Sequence, residues 1–207
     1  MNFFEELKQQ RWDDHRYYHH NRVNQFLHFL SALCFLASYA TFYFNPALAV
    51  MVGWLLAMVL RQVGHFFFEP KTDDKVFDVS HDYKESVKVG YNLKRKVILL
   101  SVWALAPVVL YFKPDFFGLL TAHVDFLGFI NNVAMLWLYI GVSAVILRTI
   151  YLFFIMGIQS GLVWFSKILT DPFHDIKIYY RSFFHLLKGE MYDDMTDWYA
   201  PELARKS

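Results

Sequence analysis

The chain has 207 residues, 56% of them hydrophobic and 20% aromatic, with a formal net charge of +1 at pH 7. That length allows one domain, or at most two small ones, and the near-neutral balance argues against nucleic acid as the main partner. The apolar excess exceeds that of an ordinary soluble protein and points to an all-α integral membrane protein folded as a single membrane domain over residues 1–207.

The first sixteen residues, MNFFEELKQQRWDDHR, mix acids and bases, and no short apolar region with a small-residue cleavage site follows them. No removable signal peptide is therefore expected, and the first hydrophobic helix serves as its own signal. The single cysteine, Cys34, excludes an internal disulfide.

Residues 26–44 and 47–68 are each long and apolar enough to cross a hydrocarbon core. Only Asn45 and Pro46 separate them, so they form a tight antiparallel hairpin. From Glu69 to Lys96 the chain is polar, a loop or surface helix in water. A second hairpin follows, with a short span at 97–112 whose Pro107 neighbouring helices accommodate. An interfacial connection precedes a longer apolar run at 132–165, too long for one perpendicular span; it either tilts or leaves the bilayer still packed on protein. After Lys167 the segment LTDPFHDIKIYYRSFFHLLKGE alternates apolar and basic residues, as does a helix lying in the interface.

Basic residues cluster before the first span, in the middle loop (Lys71, Lys75, Lys84, Lys88, Lys94, Arg95, Lys96) and after the last span (Lys167, Lys177, Arg181, Lys188, Arg205, Lys206). The two opposite connections hold only Lys113. The positive-inside rule then places both termini and the middle loop in the cytoplasm, at a bacterial inner membrane or the endoplasmic reticulum. Eight of the nine histidines fall on that side, His123 being the exception.

The first hairpin brings two of them together. His28 lies 17 residues before Asn45 and His65 lies 19 after Pro46, so both stand roughly 26 to 28 Å from the turn on adjacent helices. One turn further out, Asn24 and Glu69 are level, each four residues from its histidine on the same face. If a helix starts at Asn21, a good N-cap residue, His19 and His20 bend over its end. Imidazoles at one depth, with Glu69, Asn24 and Asp73 nearby, are chemically adequate for iron, zinc or copper. His81 reads as a solvated loop residue, and at most one of His174 and His185 can join a common site. Arg61 and Arg148 are costly in lipid and must face protein or water; Arg148 suits a substrate carboxylate or a structural partner equally.

Two stretches, YYHHNRVNQFLH at 17–28 and RQVGHFFFEP at 61–70, together resemble the membrane family of iron-dependent 2-hydroxy fatty acid α-dioxygenases of phytosphingosine degradation. Tyr18, His19, His20, Asn24 and His28 match the family's first motif, and Gln62, Gly64, His65, Phe68 and Glu69 its second. Two departures are visible: Arg61 stands where the family has its glutamine, and Pro70-Lys71-Thr72-Asp73-Asp74 replaces a proline-alanine-leucine run. The resemblance implies oxygen-dependent removal of one carbon from a 2-hydroxy fatty acid at Fe(2+). It implies His20, His28 and His65 as ligands, with His19 next, Glu69 and Asn24 orienting ligands or completing the shell, and Arg61 on the substrate carboxylate. The fatty acid is the partner so implied; oligomeric state is left open. A desaturase-type di-metal site is disfavoured, since such sites need several HxxxH and HxxHH boxes and this chain has one HxxxH, His15 with His19, and no HxxHH. A noncatalytic metal-dependent or lipid-binding scaffold is the alternative from another class.

Overall fold

The computed structural model describes residues 1–73 and 78–193. Asp74, Lys75, Arg205 and Lys206, named above, lie outside the described residues. The described residues are helical, with no strand among them.

Helix α1 (Phe3–Tyr18) precedes the first span. Hydropathy does not mark it, but its start is written in a capping box: Asn2 Oδ1 accepts from the Glu5 N–H and the Glu5 carboxylate accepts from the Asn2 N–H. Helix α2 (Arg22–Phe42) begins on Asn21, whose side chain accepts from the Val23 N–H. Helix α3 (Pro46–Phe68) is capped by Asn45 and completes the hairpin. It is π-helical over Val52–Met58 and again over Gly64–Phe68, a widening found often where a helix must re-aim functional side chains. The polar loop holds a short helix α4 (His81–Val87) and leads into α5 (Leu93–Phe112).

The expected span at 132–165 is corrected by the structure. Helix α6 (Phe126–Ile155) ends before Gly157, whose φ of 97° is a left-handed conformation that glycine adopts without strain. The chain then reverses into α7 (Ile158–Tyr179). At Gly161 a Cβ would lie 2.5 Å from the Phe153 ring and 2.9 Å from the Thr149 carbonyl, so its absence lets α7 fold back along α6. A short α8 (Ser182–Leu187) follows.

Helices α2, α3, α5 and α6 are long and apolar enough to cross a membrane. The apolar core joins α3, α5 and α6 around Val50, Ala106, Leu110, Val133, Leu136 and Trp137. Trp54, Trp103 and Trp137 stack in series at 6.2 and 4.9 Å, and the Trp137 indole N–H donates to the Trp103 carbonyl. Large apolar side chains such as Leu105, Leu147, Phe154 and Ile155 remain exposed on the outer faces, where lipid tails would meet them.

The opposite half, built from α1, α2, the end of α3 and α7, buries polar groups instead: His15, His19, Asn24, Gln25, His28, Lys167, Asp171 and Asp175. The segment after α8 straps its entrance, with the Asp193 N–H donating to the His20 carbonyl and the Arg22 N–H to the Met191 carbonyl. Arg148 is spent on structure. Its guanidinium donates to the Val89 and Gly90 carbonyls in the loop before α5, which commits those donors to the backbone rather than to a substrate carboxylate.

Candidate metal centre

His28 sits two turns into α2 and His65 at the second π-helical stretch of α3, and the two rings meet edge to face with centroids 4.9 Å apart. The depth match read from the hairpin therefore brings them into contact. The third member comes from the end of α1. His19 follows the helix as its C-cap and turns its ring onto His28, with the two Nε2 atoms 3.2 Å apart. His19, His28 and His65 form a group whose ligand nitrogens all lie within 4.8 Å of one another and which could hold a metal ion.

His20, implied by the resemblance as a ligand ahead of His19, is not part of that group. It is buried beside the Asp193 strap and leaves the site to His19. Which of two adjacent histidines faces α2 depends on how α1 docks, and α1 is the element that the hydropathy pattern hides. Asp73 accepts from the His81 backbone N–H instead of approaching the site.

The hydrogen bonds around the three rings fix their tautomers. His19 Nδ1 faces the Asp14 carbonyl at 2.9 Å and His28 Nδ1 faces the Asn24 carbonyl at 3.0 Å. His65 Nδ1 lies 2.6 Å from Glu69 Oε2, and the other Glu69 oxygen accepts from Lys88 Nζ at 2.8 Å. A carbonyl oxygen only accepts, so Nδ1 of His19 and of His28 carries the proton and each Nε2 keeps a bare lone pair. Two lone pairs 3.2 Å apart repel unless a cation lies between them. Imidazole nitrogens about 2.1 Å from a common ion stand about 3.0 to 3.4 Å from each other, so the observed spacing is that of two ligands.

Two more atoms fit the same reading. Asn24 donates from its amide nitrogen to the Tyr18 carbonyl, while its Oδ1 is buried without a hydrogen-bond partner among the described residues. That oxygen lies against Gly64, where a Cβ would come within 2.2 Å of it and 3.3 Å of His28 Cε1. Gly64 is thus needed to let α3 close on α2 at the histidines. Gln62 Oε1 is likewise buried and unpartnered among the described residues.

Helix α7 covers the site with a stripe of polar side chains at i, i+4 spacing: Lys167, Asp171, Asp175 and Tyr179. Lys167 bridges Asp14 and Asp171 at 3.0 and 2.9 Å, Arg61 pairs with Asp175 at 2.9 Å, and the Tyr179 hydroxyl meets His15 Nδ1 at 2.8 Å. Lys167 was read only as a basic residue after the last span, and Asp171, Asp175 and Tyr179 were not singled out by sequence, although the K-x3-D-x3-D-x3-Y spacing is the legible signal of one polar face. Burial would raise the Asp14 carboxyl, but Lys167 beside it holds it well below the ordinary value. Burial pushes Asp175 up to about 7 against the pull of Arg61, raises the Tyr179 phenol, and lowers His19 to about 4, so His19 stays neutral and able to bind a metal at pH 7.

A cavity of about 730 Å³ opens beside His65 and runs between α2, α3, α5, α6 and α7 past Trp54, Leu100, Val142 and Trp164. No family model, curated protein or solved structure matches this chain. The functional reading therefore rests on the site's own chemistry and on the two motifs.

Proposed function

We propose that this protein is a membrane metalloenzyme, an Fe(2+)-dependent dioxygenase that uses O2 to remove one carbon from a 2-hydroxy fatty acid or a related lipid. The observation that carries the reading is the convergence of three imidazoles whose Nδ1 atoms are all engaged, one of which, His65, lines a largely apolar cavity. The agreement of Tyr18, His19, Asn24, His28, Gly64, His65 and Glu69 with the two motifs supports the same chemistry.

A bound ferrous ion supplies open positions for oxygen and a chelating substrate. His19, His28 and His65 hold it. Glu69 and the Asp14 and Asn24 carbonyls fix the ring tautomers and raise ligand basicity. Asn24 Oδ1, unpartnered among the described residues, would accept from a bound group. The cavity keeps the acyl chain out of water. Arg61, expected on the substrate carboxylate, is committed to Asp175 and serves to tie α7 across the site. The clustering of basic residues supports a cytoplasmic position for this end of the molecule.

The test is metal content by mass spectrometry on anaerobically purified wild type and His65→Ala, followed by oxygen uptake with a 2-hydroxy fatty acid. Near-stoichiometric iron lost in the variant, with a product one carbon shorter made only by wild type, supports the proposal. Iron retention without turnover of 2-hydroxy acids leaves a metal-binding scaffold and removes the dioxygenase; absence of metal after iron loading removes both.

A further inference from the structure

Four cationic side chains line the cavity: Arg61, Lys88, Lys96 and Lys167. Three are matched. Arg61 pairs with Asp175, Lys88 with Glu69 and Glu85, and Lys167 with Asp14 and Asp171. Lys96, on the first turn of α5, is partly buried, and its ammonium has no hydrogen-bond or ion-pair partner among the described residues. Glu69, the acidic group on its side of the site, already accepts from His65 and Lys88. An ammonium kept at a cavity wall without a counter-ion is costly in the folded protein, and an anionic ligand removes that cost.

The wall beyond Lys96 is apolar. Leu99 and Leu100 follow on α5, facing Trp54 of α3, Leu138 and Val142 of α6 and Trp164 of α7. Along α3 the lining extends from His65 to Val50, about 22 Å at the helical rise, so the cavity is long as well as apolar. One cationic end and one long apolar slot match a single-chain amphiphile.

We propose that the Lys96 ammonium anchors the anionic head, carboxylate or phosphate monoester, of a single-chain lipid whose tail lies along the cavity toward Val50. The inference rests on the dioxygenase reading only in placing that head within reach of the histidine site; the anchor itself needs no metal.

Trp54 and Trp164 line the slot, so binding is read by quenching of tryptophan fluorescence with 9,10-dibromostearate in detergent, using the full chain after chelator treatment. The acid should bind at least about tenfold more tightly than its methyl ester, the scale of one charged hydrogen bond. Lys96→Met should bring the acid down to the level of the ester and leave the ester unchanged, while Lys96→Arg should retain acid binding. A brominated lysophosphatidic acid distinguishes the sources: tighter binding that disappears in Lys96→Met assigns a phosphate head, and weaker binding assigns a carboxylate. Equal affinity of wild type for acid and ester, or undiminished acid binding by Lys96→Met, overturns the anchor. Because the protein is metal-free in every arm, these outcomes are independent of whether iron is bound in the test of the dioxygenase.

Discussion

The two halves of this molecule solve the packing problem in opposite ways. Where α3, α5 and α6 meet, the interior is alanine, valine, leucine and three stacked tryptophans; the Trp137 indole donates to a backbone carbonyl, and the Trp103 indole N–H is buried without a partner among the described residues. Where α1, α2, α3 and α7 meet, the interior holds histidines, two aspartates, a lysine and an asparagine. Burying ionic groups costs several kcal/mol per ion before pairing, and well-packed apolar residues stabilise such a position as well or better. The first half shows that this chain can build an apolar interior. On the proposed function the polar half is kept for what it binds, and the local rules it breaks mark that end of the molecule.

The sharpest way to separate the halves is within one dipeptide. His19→Ala should lose more than about tenfold in metal affinity, as removal of one of three ligands does, whereas His20→Ala should retain near-wild-type metal, both read by metal content after gel filtration. Loss in both, or in His20→Ala alone, would break the assignment. Next in size is the same substitution made in each half. Gly64→Ala forces a methyl to 2.2 Å from Asn24 Oδ1, and Gly141→Ala forces one to 2.8 Å from the Trp54 ring. Each should destabilise by about 1 to 3 kcal/mol, with Gly64→Ala at the upper end. Only Gly64→Ala should also lose metal; equal metal loss in both would mean that the site merely follows global stability.

The smallest effect is a pH dependence confined to the polar half. Burial holds His174 at about 4. Between that value and the ordinary 6.5 the unfolded chain binds the extra proton, so stability is present above pH 6.5 and is lost as the pH falls through it. From pH 7.5 to 5 this group should remove about 1 to 2 kcal/mol. His174→Phe should flatten the fall in thermal midpoint over that range, and an unchanged slope would remove His174 as its source.

The four apolar helices were legible because hydropathy over about 20 residues is a strong signal, and the meeting of His28 with His65 followed from equal distances to one turn. What stayed hidden depended on docking. No helix was read over residues 3–18, and nothing local says that α1 turns His19 rather than His20 onto α2. Gly157 lay within an apolar run, and only its positive φ shows that the chain reverses there. The α7 stripe alternates with apolar residues, so its composition reads as an interfacial helix while its geometry makes it the lid of a buried charge network.

X-ray absorption at the metal edge of anaerobically purified protein reads the ligand set directly. Three imidazole nitrogens near 2.1 Å, with further oxygen donors completing the shell and one imidazole lost in His19→Ala, is the expected result. A spectrum without imidazole scattering, or one unchanged in His19→Ala, would contradict the three-histidine centre.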